Sequence, residues 1–376
     1  MFRCGLLVLH PSHIKALIPQ VIKLASKEVK EVLYVDVFRP QDTSLAALYL
    51  LLVEVYGRYY PGQGSLDIRL LLPELGQNRP RTLSIHPETA FLIETPGSVG
   101  GTVSVENLTS WLDERYTGLS QIKSKVLSLV DEGPQPNESY SAPLLNVYDE
   151  VALGGTFDRI HNGHRLLLGV ACLLCQRKIT VGLSDGPLLE RKLLKELIQP
   201  FEERKRIVEQ FVEDIRPGLQ HIVDSITDPI GPAGTEPNLR CLIVSKETQN
   251  GITFINEARQ KNGLQDLEVH IIDLVTEESH DSMPGKTSDT DKMSSTAERH
   301  KLLGKLLRPV KASNNQAKGR RPYVIGLTGG IASESQPSAK DLKNFLPHTI
   351  NCDLLGHLAY APGKKAYHQI IEAFWK

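Results

Sequence analysis

Short apolar runs of strand length alternate with helical patterns along most of this chain, and that alternation leaves few folds open to it. In the first third, GLLVLH, VLYVDV and DIRLLL have the length and composition of strands, while HIKALIPQVIKLA, LAALYLLLVEVY and VENLTSWLDERY carry helical patterns. Strands separated by helices are joined by crossovers rather than hairpins, so the pattern predicts a parallel sheet. The stretch DEGPQPNESYSAP (131–143), rich in Pro, Ser, Glu and Asn, breaks the rhythm. It reads as a linker over 131–146, after a first α/β domain over 1–130 to which no chemistry is assigned. From Val147 the alternation resumes more strongly, with VALGG, ITVGLS, HIVDSI, LRCLIVS and LEVHIIDLV as strands and GHRLLLGVACLLCQ, FEERKRIVEQFVEDI and TFINEARQK as helices. The expectation is an α/β, doubly wound parallel-sheet (Rossmann-like) domain over 147–310.

A chain of 376 residues with 40% hydrophobic content can fill the cores of two or three such domains. Its formal net charge of -1 argues against a protein built to coat nucleic acid, and the basic run from Arg299 to Arg321 reads as a solvated linker. No nucleic-acid partner is expected. Five cysteines in this length do not make a disulfide framework, which favours a reducing, cytoplasmic setting and leaves a mitochondrial association open. Cys172 and Cys175 sit three apart in an apolar helical run and are expected to pack in a core rather than hold a metal. The most apolar early segment, SLAALYLLLVEVY, is too short for a bilayer and reads as a buried helix, so no membrane span is expected. The opening MFRCGLLVLHPSHIKAL lacks the pattern of a secretory signal.

The segment VALGGTFDRIHNGHRLLLGV sets His161 and His164, with Gly154, Gly155 and Gly163, between a strand and a helix. A strand, a glycine turn and a helix N-terminus place backbone N–H groups and a positive dipole end at the carboxyl edge of a parallel sheet, where phosphate binds. Gly154 and Gly155 are expected to let the turn run tightly, Gly163 to let a ligand approach, and the imidazoles to donate to phosphate oxygens. Farther along, KMSSTAER offers Lys292, Ser294, Ser295, Thr296 and Arg299 around a second helix start, where Ser295-x-x-Glu298 has the form of a capping box. Two phosphate-type turns flanking one α/β domain point to a nucleotide site.

GGTFDRIHNGH and KMSSTAER together resemble the (H/T)xGH and ISSTxxR signatures of the nucleotidyltransferase superfamily, and specifically the phosphopantetheine adenylyltransferases. The order of the whole chain is similar to that of the bifunctional CoA synthases of animals. The resemblance implies adenylyl transfer from ATP to 4'-phosphopantetheine, giving dephospho-CoA and pyrophosphate, with Mg²⁺ assisting and no covalent enzyme intermediate. It implies that His164 stabilises the transition state, that His161 is a triphosphate ligand, and that Gly155, Thr156 and Phe157 lie where ATP meets the acceptor phosphate. It places Ser294, Ser295, Thr296 and Arg299 on ATP. In the loop SDGPLLERKLLKEL it implies a lysine on the acceptor phosphate, Lys192 first and Lys195 second, with a solvated face formed by Arg191, Lys192 and Lys195 as the alternative. VSKETQNG matches a segment near adenine and acceptor, which puts Ser245 and Thr248 there, but Asn250 stands where the animal enzymes carry arginine.

After the basic linker 311–321, YVIGLTGGIASESQ begins like a phosphate-binding loop. Gly329, Gly330 and Ser333 keep its start, while Glu334 replaces the second glycine and no lysine follows in place. The segment 351–374 resembles dephospho-CoA kinases, with Asp353 kept and Asn351 where the first aspartate would stand. The expectation for 322–376 is a truncated, degenerate kinase-like fragment without activity. Two alternatives stand beside the adenylyltransferase reading. One is a non-catalytic regulatory form that engages protein partners through the N-terminal region, and the other is a nucleotidyltransferase with a different phosphorylated acceptor.

Overall fold

The computed structural model describes residues 1–10, 18–38, 43–57, 66–74, 80–94, 105–119, 121–128, 144–246, 248–272, 294–303 and 352–374. Residues 1–307 form one compact unit and 308–376 another. The linker 131–143, Lys292, and the loop residues Gly329, Gly330 and Ser333 lie outside the described residues.

The first unit holds two parallel five-stranded sheets. The N-terminal one uses β1 (Phe2–Leu9), β2 (Val29–Val37), β3 (Asp67–Leu70), β4 (Thr89–Glu94) and β5 (Lys123–Ser128) in the order β3-β2-β1-β4-β5, with α1 (Ile18–Ser26), α2 (Leu45–Gly57) and α3 (Val105–Arg115) between them. The second uses β6 (Tyr148–Gly155), β7 (Cys175–Ser184), β8 (Gln220–Ile226), β9 (Cys241–Ser245) and β10 (Glu268–Ile272) in the order β10-β9-β6-β7-β8. Its helices are α4 (Asn162–Leu174), α5 (Phe201–Ile215), α6 (Ile252–Lys261) and α7 (Ser295–His300). The second unit contributes α8 (Cys352–Ala359), which carries Asp353, and α9 (Lys365–Phe374).

The expected α/β class and parallel sheets are observed, and burial explains which strands were readable. Central strands sit between helical layers, so β1 is buried from Cys4 to Leu9 and β9 along its whole length, which writes a continuous apolar run into the sequence. The sheet also contains β4 and β5, which the alternation did not reveal. β5 is an edge strand, KSKVLS, with all but Leu127 exposed, so it has little apolar signal to show.

The two sheets share one core. α2 packs its Leu52 against Gly169 of α4, where an added Cβ would stand 2.6 Å from Leu52 Cδ2, so a side chain at 169 would push the helices apart. This explains why α2 is apolar almost all round: Leu48, Tyr49, Leu51, Leu52, Val55 and Tyr56 are buried, serving its own sheet and the helix of the second sheet together. None of the helices among the described residues is long and apolar enough to cross a membrane. Cys172 and Cys175 are buried in the shared core, and burial raises both thiols, that of Cys175 to about 11.

Candidate active site

The carboxyl ends of β6, β7 and β9 lie side by side, with Gly155 paired to Leu183 on β7 and Leu153 paired to Ile243 on β9. Each strand releases one expected site segment at this edge: the histidine turn after β6, the Lys192 loop after β7, and the Ser245–Thr248 turn after β9. α7 returns to the same place. Arg299 on α7 donates from Nη1 to Asp158 Oδ2 at 2.6 Å, with both side chains buried, and from Nε to the Leu193 carbonyl at 3.0 Å. Two motifs 141 residues apart are thereby joined to each other and to the lysine loop.

The histidine turn takes its left-handed backbone at residues other than its glycines. Gly154 and Gly155 are the last residues of β6, and neither has positive φ. The left-handed positions are Phe157 (φ 48°) and Arg159 (φ 48°), where a side chain adds strain that the surroundings must hold. Those surroundings are visible. Arg204 on α5 donates from Nη1 to the carbonyls of Thr156 (2.8 Å) and Ser184 (3.0 Å), tying the ends of β6 and β7 together. The Arg159 N–H donates to Gln199 Oε1 at 2.7 Å, and the Gln199 N–H donates to Asp158 Oδ1 at 2.9 Å. Gly155 matters as a surface rather than a hinge, since a Cβ there would meet the buried Phe157 ring at 3.1 Å.

Phe157 in turn packs on His164, with ring centroids 5.0 Å apart, and His164 stacks on His161 at 3.9 Å. Both Nδ1 atoms are buried without a hydrogen-bond partner. Burial first, then the nearby charges of Arg165 and Lys301, hold His161 down to about 3. Burial, then His161, Arg165 and Lys192, hold His164 well below its ordinary range. Burial thus favours the neutral form of both rings, in which each offers one N–H donor and one acceptor. His161 is the N-cap of α4 but its side chain makes no cap bond, and the first helical bond to that end runs from the Arg165 N–H to the His161 carbonyl. The N–H groups of the first turn are left to serve a ligand.

The other expected residues fall into distinct settings. Lys192 is exposed, and its charge is felt at His164. Lys195 is exposed and paired with Glu190, and Arg191 is exposed. Ser294 is the N-cap of α7, accepting from the Ala297 N–H at 3.2 Å, so the cap falls one residue before the expected Ser295. Ser294 has extended backbone, whereas Ser295 is already helical. Thr296 Oγ1 accepts from Arg299 Nη2 at 3.1 Å. Ser245 and Thr248 are satisfied by each other, with hydroxyls 3.2 Å apart, and Asn250 is exposed beyond them. The residues that sequence reasoning missed are Asp158, Arg159 and Arg204. Asp158 lies inside the quoted motif, and its place as the one acidic residue between the glycines and the histidines was the available signal. Nothing in EERKR separates Arg204 from its neighbours Lys205 and Arg206.

A shallow cleft opens beside Gly154 on the sheet face away from α4. It is lined by Gly182, Ile226, Ile230, Pro232, Leu242 and Ile255. Among the described residues, no three His, Cys, Asp or Glu side chains converge as a metal cage would require.

A cytidylyltransferase-like family model matches residues 152–301. The chain is 36% identical over 146 residues to a phosphopantetheine adenylyltransferase of Saccharomyces cerevisiae, covering 39% of this chain and 48% of that one, so it spans about half the length of that curated relative. It is 34% identical over 167 residues to a phosphopantetheine adenylyltransferase of Thermococcus gammatolerans, covering 44% of this chain and 98% of the relative. With a third, from Thermococcus kodakarensis, it shares 30% identity over 171 residues, covering 46% and 96%. The archaeal relatives thus have little length left over for a second sheet.

Proposed function

The chain belongs to the phosphopantetheine adenylyltransferase family, and on that premise we propose that it transfers the adenylyl group of ATP to 4'-phosphopantetheine. An oxygen of the acceptor phosphate attacks the α-phosphorus in line. The bond from that phosphorus to the α,β-bridging oxygen breaks, and pyrophosphate leaves with the electron pair. The products are dephospho-CoA and pyrophosphate.

The observation that carries this reading is the stacked histidine pair at an uncapped helix N-terminus, joined to the second motif by Asp158 and Arg299. His164 and His161 donate to the oxygens that gain charge as pyrophosphate departs, and the α4 N–H groups serve the same phosphates. Lys192, whose charge reaches His164, holds the acceptor phosphate, whereas the pairing of Lys195 with Glu190 favours the first lysine over the second. Ser295, Thr156, Ser245 and Thr248 complete the rim in this reading. Arg299 acts through Asp158 and the Leu193 carbonyl, setting the lysine loop against the histidine turn. The apolar cleft beside Gly154 suits the uncharged arm of the acceptor. With no cage of carboxylates among the described residues, Mg²⁺ would be held by the triphosphate and its waters, and no step depends on it here. The order of segments also fits the bifunctional CoA synthases, with Glu334 and Asn351 marking a kinase-like segment that has lost its phosphate loop and base.

The test is pyrophosphate release by the full chain with ATP and a panel of phosphorylated acceptors. Turnover is expected with 4'-phosphopantetheine. Turnover confined to another acceptor, such as nicotinamide mononucleotide, would replace the reading, and a folded chain that binds no nucleotide by calorimetry would favour the regulatory form.

A further inference from the structure

The N-terminal sheet reaches the histidine turn through a ladder of charged side chains that crosses the domain boundary twice. At its far end Asp214 on α5 is buried and accepts from the Tyr34 hydroxyl (2.8 Å), the Ser84 N–H (2.9 Å), the Ser84 hydroxyl (2.6 Å) and the Arg69 guanidinium. Arg69, on β3, donates from Nε and Nη2 to Asp67 Oδ2 at 2.9 and 2.7 Å. The other oxygen of Asp67, Oδ1, accepts from Nε of Arg165 at 2.9 Å. Arg165 then donates from Nη1 to Asn162 Oδ1 at 3.1 Å. Asn162 and Arg165 bracket the turn of α4 that carries His164, and Asn162 directly follows His161. A backbone bond from the Leu72 N–H to the Ile215 carbonyl (2.8 Å) fixes the end of β3 to the end of α5.

We propose that the N-terminal α/β domain is part of the catalytic unit, and that Asp67 is a positioning residue acting through Arg165 on the first turn of α4. The proposal rests on the reading that this turn is the reaction centre. Arg165 is a cation one residue beyond His164. Left unpaired, its long side chain is free to swing toward the phosphate oxygens and to leave Asn162. Asp67 holds the guanidinium on the N-terminal side with a charge-assisted bond, which keeps both the helix start and the local charge in one arrangement. The interface packing of α2 on α4 serves rigidity, while the ladder specifies where one charge sits.

The experiment compares Asp67→Asn, Arg165→Gln and the double variant in the full chain, with thermal melts to confirm folding. kcat is expected to fall about tenfold in Asp67→Asn, with KM for ATP changed less than threefold, since the group acts on geometry rather than on ATP itself. The double variant is expected to match Arg165→Gln alone, and Asp67→Glu to recover part of the loss. Losses that multiply in the double variant, or an unchanged kcat in Asp67→Asn, would overturn the proposal. A second readout needs no turnover: in ¹⁵N-histidine-labelled chain, the ring resonances of His161 and His164, assigned with single substitutions, should shift in Asp67→Asn. Unmoved ring resonances sink the proposal whichever acceptor the protein uses, whereas failure of the acceptor panel alone sinks only the reading of the substrate.

Discussion

The two sheets of the first unit have one strand order between them, since β3-β2-β1-β4-β5 and β8-β7-β6-β9-β10 place corresponding strands in corresponding positions. They differ in the segment that leaves the first strand. β6 ends in Gly154 and Gly155 and leads to an uncapped helix with two stacked imidazoles. After β1 the sequence runs His10-Pro11-Ser12-His13, which contains two histidines but no glycine. A parallel sheet supplies a crevice where its strand order reverses, whatever its side chains. Whether that crevice handles phosphate depends on a few residues, and of the two segments only the one after β6 carries glycines in its sequence. The N-terminal sheet instead presents Asp67 and Arg69 at an edge strand, and its contribution passes sideways to its neighbour.

The sharpest way to break this contrast is to truncate a histidine in each sheet. His164→Ala should lower turnover by about 10²- to 10³-fold, the usual scale for losing a donor to developing charge. His10→Ala should leave it unchanged in a pyrophosphate-release assay. Equal losses would show that both crevices take part.

The joint between the two motifs comes next. Asp158→Asn removes one partner of a buried pair and leaves Arg299 uncompensated, which costs about 3 to 5 kcal/mol. Urea denaturation followed by fluorescence should register that loss, and a midpoint within error of the parent would mean that the pair does not hold α7 to the turn.

The smallest effect is on acid stability. The folded chain holds His161 and His164 below the ordinary value of 6.5, so the unfolded chain takes up protons first as pH falls. Their contribution is fully present above pH 6.5 and is lost as pH drops below it, that of His161 toward about 3. Urea midpoints measured across that window should fall less steeply in a His161→Asn, His164→Asn variant than in the parent. An identical slope would place the acid sensitivity elsewhere.

Much of this was legible in the linear chain. All five strands of the second sheet stand out as apolar runs, most strongly the central β6, β7 and β9, which are buried through their middle, while the edge strands β8 and β10 are largely exposed. The two motifs name the segments that converge at one edge. What stayed hidden is what depends on partners distant in sequence. Nothing in the sequence shows that Arg299, read as a phosphate donor, is also paired with Asp158, or that Arg165 has a partner in Asp67 on another sheet. Nor does the sequence show that Phe157 and Arg159, rather than the glycines, take the positive φ of the turn, held by contacts with α5 and the lysine loop. β5 escaped because an edge strand has no second buried face to impose a pattern.

The all-round apolar character of α2 has a consequence for how the protein is made. α2 ends at Gly57 and the helix it packs on begins at Asn162, so during synthesis its outer face waits for 105 residues to be added. At ribosomal speeds that delay is on the order of 5 to 20 s, far longer than a small domain takes to collapse. The nascent N-terminal sheet therefore carries an apolar stripe on α2 before the helix that covers it has been made.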